Sequence, residues 1–200
     1  MLRKRGGTDV YTQVTLKELE KDCAGCSKCP LGQTKINSVF GAGSPDAVLM
    51  FIGEAPGAQE DEQGVPFVGA AGKLFDKYLN AVDIDRSEVY IANMLKCRPP
   101  KNRDPLPEEK EACYPYLREQ IKIIKPKMIV CLGRISAQRF IREDFKITRD
   151  HGVWEQKGEF LMTAVYHPSL LLRDPRRREE MLKDMISVKE KYDEFLKQRG

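Results

Sequence analysis

Four short segments of the chain are almost wholly apolar, and each leads into a loop. They are DAVLMFIGE (46–54), EVYIANML (88–95), KMIVCLG (127–133) and FLMTAVYH (160–167). Such composition is typical of strands buried on both faces of a sheet. Segments with helical spacing lie between and after them. This alternation predicts an α/β fold, a three-layer α/β/α arrangement around a central, mainly parallel four-stranded sheet.

Three long loops begin where predicted strands end, at residues 53–69, 93–107 and 167–175. The stretch from residue 54 to 72 carries four glycines and two prolines, which favours a functional loop over a simple connector. Ligands of parallel sheets bind at the carboxyl ends of the strands. We therefore expect these loops to share one crevice.

The length of 200 residues suits one medium domain. We expect a mobile tail at residues 1–12 and a single domain at 13–200. The start, MLRKRGGTDVY, has basic residues without a following apolar region, and the longest apolar run is too short to span a bilayer. These features predict a soluble, cytoplasmic protein with no membrane partner.

The formal net charge of +4 is too small to predict a polyanionic partner by itself. Two clusters are more informative: one at 96–103 and another at 173–178, each with four Lys or Arg residues. Such clusters suit contacts with a phosphate backbone, and solvated loops are the alternative interpretation.

Common catalytic motifs are absent from the sequence. The GAAGK segment (69–73) lacks both the glycine spacing and the final Ser or Thr of a phosphate-binding loop. There is no G-x-G-x-x-G fingerprint, and with two histidines and no G-x-S-x-G a serine hydrolase triad is not indicated.

Six cysteines in a chain of this type favour metal binding over disulfides. Cys26 and Cys29 have the two-residue spacing that lets two thiolates face one metal. Cys97 and Cys113 follow the second strand, so they are candidates to complete a four-thiolate site. Spacing does not separate zinc from an iron–sulfur cluster, and ordinary thiols are the alternative. Cys131 lies in an apolar strand and is predicted to be a core residue.

Four ordered motifs together resemble those of a family 4 uracil-DNA glycosylase, the iron–sulfur type. They are FIGEAPGAQEDEQGVPFVGAAGKLFD, YIANMLKCRPPKNRDPLPEE, IVCLGR and YHPSLLLRDP. The resemblance runs from about residue 26 to 178. It implies a structural [4Fe–4S] cluster held by Cys26, Cys29, Cys97 and Cys113. Cys23 is then an extra thiol, although a register that uses Cys23 with Cys26 stays open.

The same resemblance implies roles for three residues around an extruded uracil. Phe67 would stack on the base, which contributes about 1–3 kcal/mol. Asn93 would read the base, because its amide complements uracil and not cytosine. His167 would donate a hydrogen bond to the uracil oxygen that gains negative charge as the bond breaks.

Other implied assignments concern water, pocket shape and the duplex. Glu60 would position the attacking water and balance the charge of the sugar, and Glu54 would orient the pocket. Other uracil glycosylases carry an aspartate where this chain has Ala55 and a bulky tyrosine where it has Gly57. Leu171 would wedge into the base stack after the nucleotide leaves it.

The resemblance therefore implies a monofunctional base excision repair enzyme that hydrolyses the glycosidic bond of uracil and leaves an abasic site. Its expected substrate is uracil-containing single- or double-stranded DNA, its expected state is a monomer, and its expected place is the prokaryotic cytosol, associated with the nucleoid. A sliding clamp is a candidate partner. An iron–sulfur electron carrier and a zinc-stapled nucleic-acid-binding module are the rival hypotheses.

Overall fold

The computed structural model describes residues 14–198, so the predicted tail at residues 1–12 lies outside the described residues. The helices are α1 (Leu16–Ala24), α2 (Leu31–Thr34), α3 (Ala58–Gln63), α4 (Ala70–Ala81), α5 (Pro107–Ile124), α6 (Arg134–Phe140), α7 (Ile147–Asp150), α8 (Pro168–Arg173) and α9 (Arg178–Lys197). The strands are β1 (Ala42–Gly43), β2 (Leu49–Gly53), β3 (Tyr90–Asn93), β4 (Met128–Leu132), β5 (Glu155–Lys157) and β6 (Phe160–Val165). Within residues 14–198, no helix has the length and apolar character needed to cross a membrane.

The strands form one sheet in the order β1-β3-β2-β4-β6-β5. The four inner strands run parallel, and they are the four strands that the sequence predicts. The two edge strands pair antiparallel with their neighbours. The predicted α/β class with a mainly parallel sheet is confirmed. The described sheet has two strands more than expected, because the edge strands are only two and three residues long and carry no apolar run.

Side chains of the inner strands alternate between two apolar layers. Phe51 and Val130 pack in the layer that contains α4, α8 and α9. Met50 and Ile129 pack on the opposite face against α5 and α6. All four are fully buried, and burying a side chain of this size stabilises a fold by about 1.5–3 kcal/mol. The sheet is thus covered on both faces, which explains why its strands show no polar alternation.

A third apolar cluster attaches the N-terminal helices to the rest of the fold. Leu19 of α1 and Leu31 of α2 pack in this cluster with Leu95 from the loop after β3. Helix α1 begins at a capping box, in which the Thr15 hydroxyl accepts from the Glu18 N–H and the Glu18 carboxylate accepts from the Thr15 N–H. The N-terminal segment therefore lies against the β3 loop and α5.

Candidate active site and thiol cavity

A cleft of about 710 Å³ opens at the carboxyl ends of the parallel strands. The loops after β2, β3 and β6 all line it, so the structure brings the three predicted loops together. Two of these loops are joined by backbone hydrogen bonds, in which the amides of Met94 and Leu95 donate to the carbonyls of Gly53 and Glu54. The volume lies within the range of about 300–1,000 Å³ that small-molecule sites usually have.

Phe67 lines the cleft from the loop after β2. Its backbone is left-handed, with φ of 54°, which is uncommon for a bulky residue and requires support from its surroundings. Its ring centroid lies 5.6 Å from that of Phe75 and 5.8 Å from that of His167. The Phe67 carbonyl lies so close to Gly72 of α4 that a side chain there would clash. The ring is therefore held between the core and the cleft.

Asn93 is the last residue of β3, and its side chain is buried in the wall of the cleft. Its Oδ1 is the one buried side-chain nitrogen or oxygen among residues 14–198 without a hydrogen-bond partner. Leaving such an atom unpaired costs about 1–3 kcal/mol. A Cβ at Gly53 would meet both this oxygen and the Phe67 ring. The cleft thus presents an open acceptor beside an aromatic ring, where an N–H donor of a ligand can satisfy it.

His167 caps the N-terminus of α8 and is partly buried. Its Nδ1 accepts a hydrogen bond from the Ser169 backbone N–H at 3.1 Å, and the Ser169 hydroxyl lies 2.7 Å from the same atom. In the neutral ring the proton is therefore on Nε2. Burial lowers the pKa of His167 to about 4, the charge of Arg173 acts in the same direction, and Glu60 opposes it. At neutral pH the residue offers one N–H donor without a positive charge.

Glu60 holds the loop that carries Phe67. Its Oε1 accepts from the amides of Val68 and Gly69 at 3.0 and 2.8 Å, and its Oε2 accepts from the Gly57 amide at 3.1 Å. A carboxylate has about four acceptor positions, so three backbone bonds leave room for about one more. Glu60 lines the cleft as predicted, but its first task in this geometry is to clamp the loop.

Glu54 is a second carboxylate in the cleft. Burial raises its pKa to about 6; the neighbouring charge of Asp104 raises it further, while Arg134 and Lys110 lower it. The group is therefore ionised at neutral pH and titrates within a range in which activity is easily measured. Ala55 lines the cleft next to it.

Leu171 is completely buried in the core layer of α4 and α9, so the prediction that it is the duplex wedge is wrong. Successive residues of a helix point about 100° apart, and the segment from Pro168 to Arg173 is helical. As a result Leu172, the next residue, is 43% exposed and lies in the wall of the cleft. The sequence alone does not distinguish these two neighbours, because a segment predicted to be a loop has no helical periodicity from which to assign them to opposite sides.

Three arginines line the cleft, Arg103, Arg134 and Arg173, and Arg103 forms an ion pair with Glu109 of α5. Arg173 belongs to a predicted basic cluster. Arg134 was missed, although it follows the end of β4 and the strand-end rule applied to that strand would have found it. Lys96, which the basic-cluster interpretation placed against phosphates, is 1% exposed, so that prediction is wrong.

Five cysteines line one small cavity between the N-terminal helices, the β3 loop and α5. They are Cys23, Cys26, Cys29, Cys97 and Cys113. All four predicted ligands line this cavity, and because Cys23 lines it too the choice of register stays open. Cys131 is buried in β4, as expected. Within residues 14–198 no group of three or more Cys, His, Asp or Glu side chains stands close enough to hold a metal ion as placed.

The surroundings of this thiol cavity suit a negatively charged, thiolate-bound group. The ammonium of Lys96 is buried and donates to the Asn93 carbonyl at 2.9 Å and to Gln120 Oε1 at 2.7 Å, both neutral acceptors. Its backbone N–H donates to Cys113 Sγ at 3.2 Å. A buried cation with only neutral partners is costly unless negative charge lies nearby. Metal-bound thiolates would supply that charge, so the donor set and its cation fit a thiolate-bound metal centre, which includes an iron–sulfur cluster.

Comparison with known proteins places this geometry in a family. The sequence profile of the Uracil DNA glycosylase superfamily matches residues 40–188. The chain belongs to that superfamily. It is 44% identical over 186 residues to the Type-4 uracil-DNA glycosylase of Archaeoglobus fulgidus, covering 88% of this chain and 92% of the relative. It is 39% identical over 194 residues to the Type-4 enzyme of Thermotoga maritima, covering 96% and 100%. A Type-5 uracil-DNA glycosylase of Pyrobaculum aerophilum is 30% identical over 146 residues, 64% of each chain.

Superfamily membership confirms the resemblance drawn from the four motifs. The geometry around Gly57 also gives a physical reason for one departure from the pattern of other uracil glycosylases. A Cβ at Gly57 would lie 2.7 Å from Glu60 Oε2. A side chain at position 57, such as the tyrosine expected there in other uracil glycosylases, would therefore require the Glu60 carboxylate to move from the position in which it holds the loop. Gly57 therefore leaves space for the Glu60 carboxylate, which accepts a hydrogen bond from the Gly57 amide.

Proposed function

We propose that this protein is a monofunctional uracil-DNA glycosylase that hydrolyses the glycosidic bond of an extruded uracil in DNA and leaves an abasic site. Its superfamily and its Type-4 relatives support this activity. The observation that carries the assignment to this cleft is the open Oδ1 of Asn93, which lies beside the ring of Phe67.

Base recognition follows from the chemistry of these two residues. Uracil has a donor at N3 and an acceptor at O4, which complement the oxygen and the nitrogen of the Asn93 amide. Cytosine reverses this pattern and would leave buried groups unpaired, and such mismatches are rejected strongly. The Phe67 face adds stacking of about 1–3 kcal/mol that does not depend on the base.

Bond cleavage would depend on His167. As the bond to the sugar lengthens, negative charge develops on uracil O2, and the Nε2–H of neutral His167 would donate to that oxygen. The Ser169 amide fixes the required tautomer in advance. A preorganised donor of this kind contributes about 2.7–4 kcal/mol to transition-state stabilisation.

Glu54 is our proposed holder of the attacking water, a role that the family resemblance implies for Glu60. No hydrogen bond to another side chain or backbone group within residues 14–198 occupies the Glu54 carboxylate, whereas Glu60 already accepts three amides. An ionised carboxylate in a partly buried cleft would both orient water and stabilise the cation-like sugar. Glu60 then acts by keeping Phe67 in place.

The duplex would be engaged by the rim of the cleft. Leu172, exposed beside the site, replaces Leu171 as the proposed wedge, and Arg134 and Arg173 are proposed to contact the phosphates that flank the extruded nucleotide. We propose that residues 13–200 act as one domain and as a monomer in the cytoplasm, on single- or double-stranded DNA. A sliding clamp remains a candidate partner.

Cys26, Cys29, Cys97 and Cys113 would hold the [4Fe–4S] cluster in the thiol cavity. When bound, this group supplies a rigid cross-link between the N-terminal helices, the β3 loop and α5, and the role proposed for it is structural. The cross-link lies close to the catalytic wall, because Lys96 contacts both Cys113 and the Asn93 backbone.

The direct test is incubation with a uracil-containing oligonucleotide followed by alkaline cleavage, beside thymine and cytosine oligonucleotides. We expect cleavage of the uracil strand alone, and none with an Asn93→Ala variant. Absence of cleavage with purified, brown, iron-containing protein would favour the electron-carrier hypothesis. Colourless protein with stoichiometric zinc and no cleavage would favour the nucleic-acid-binding module.

A further inference from the structure

Arg86 lies in the segment between α4 and β3 and does not line the cleft. None of the steps proposed for the cleft involves it. Its Nη2 donates to the Pro66 carbonyl at 2.6 Å, and its Nη1 forms an ion pair with Asp76 of α4, also at 2.6 Å. Pro66 is the residue directly before Phe67. One guanidinium thus ties the peptide that enters Phe67 to the helix that packs behind it.

The need for such a tie comes from the backbone of Phe67. A left-handed conformation at a bulky residue costs about 1–3 kcal/mol and persists only when the surroundings determine it. Glu60 fixes the chain after Phe67 through the Val68 and Gly69 amides. Arg86 fixes the chain before it. The backbone of Phe67 is therefore fixed on both sides. Of the two residues that fix it, Glu60 lines the cleft and Arg86 does not.

We infer that Arg86 is a positioning residue for base stacking: its bond to the Pro66 carbonyl keeps Phe67 in the conformation that presents the ring to the extruded base. This inference rests on the proposed function, since it gives the stacking residue its support. Arginine suits the task because its planar group bonds two partners in fixed directions, which a lysine does not reproduce.

The first test is a double-mutant cycle measured as kcat/KM for release of uracil from an oligonucleotide. We expect Arg86→Gln to lower kcat/KM by about tenfold when Phe67 is present, and by less than about twofold in a Phe67→Leu background. Arg86→Lys should recover part of the loss. Equal losses in both backgrounds would overturn the inference, because the effect of Arg86 on kcat/KM would then be independent of the Phe67 ring.

The second test does not depend on activity. Hydrogen exchange of the Val68 and Gly69 amides should be faster by about tenfold in Arg86→Gln, because release of Pro66 loosens the loop that these amides close. Arg139→Gln is the matched control, because it removes the same charge. Arg139 pairs with Glu111 on α5 and does not line the cleft. Unchanged exchange in Arg86→Gln would contradict the clamp. A wild-type protein that released no uracil would refute the proposed function, and the exchange result would still decide the role of Arg86.

Discussion

The cleft and the thiol cavity share the loop after β3, yet they fix their functional groups in different ways. In the cleft, backbone amides hold the reactive side chains: Ser169 N–H orients His167, and three amides hold Glu60. In the cavity, thiols from three separate segments meet around a space beside a buried lysine. The cleft has one unpaired polar atom, Asn93 Oδ1, whereas the cavity lies beside a buried lysine whose charge metal-bound thiolates would offset. Substitutions in the two regions should therefore have separable effects.

The largest effect is expected in the cavity. Cys113→Ser should abolish iron binding and lower Tm, because it removes a proposed ligand from the cross-link between α5 and the N-terminal segment. Iron and sulfide content, visible absorbance and thermal unfolding measure this. Cys131→Ser is the matched control, since this buried thiol lies in β4 and not in the cavity. Cys23→Ser should retain iron, and loss of iron there with retention in Cys29→Ser would establish the other register.

His167→Ala should show the opposite pattern. We expect kcat/KM on a uracil oligonucleotide to fall by about 10²–10³-fold, the usual cost of one donor to a developing oxyanion. Iron content should stay at the wild-type value, because His167 does not line the thiol cavity, and Tm should fall by only a few degrees, because the variant loses the N-cap of α8. A variant that lost iron and activity together would show that the two regions form one unit.

Some features of the fold and the site can be predicted from local sequence, and others depend on tertiary packing. The inner strands were predictable because burial on both faces leaves an unbroken apolar run, and Phe67, Asn93 and His167 follow from motifs at the ends of those strands. The errors at Leu171 and Lys96 have another origin. Which of two adjacent leucines faces solvent depends on the rotation of α8, and Lys96 is buried by a tertiary network with Gln120. Neither is encoded in local composition.

The pH dependence of activity can distinguish the two carboxylates in the cleft. The pKa of Glu54 is raised to about 6, and the proposed water-holding form is ionised, so kcat/KM should rise with pH through about 6 and then level off. His167, with a pKa lowered to about 4, is neutral across that rise. Glu54→Gln should lower kcat/KM by about 10²-fold and abolish the step near pH 6.

Stability gives an independent check on the same residue. A carboxyl whose pKa is raised by folding favours the folded state in its protonated form, so its contribution to stability is present at low pH and is lost as the pH rises through about 6. Glu54→Gln should therefore raise Tm at neutral pH while it removes activity. A step near pH 6 that survived in Glu54→Gln would contradict the water-holding role of Glu54.

The smallest effect is expected at the rim, from the pair of adjacent leucines. Leu172→Ala should lower kcat/KM by about tenfold on duplex DNA and much less on single strands, because extrusion from a duplex requires a few kcal/mol of unstacking that a wedge offsets. Leu171→Ala should instead destabilise the fold by about 2–5 kcal/mol, since it leaves a cavity in the core. Measuring both variants on both substrates, together with urea unfolding, separates the two roles. A duplex-specific loss in Leu171→Ala at full stability would restore the original assignment, and would mean that α8 rotates when DNA binds.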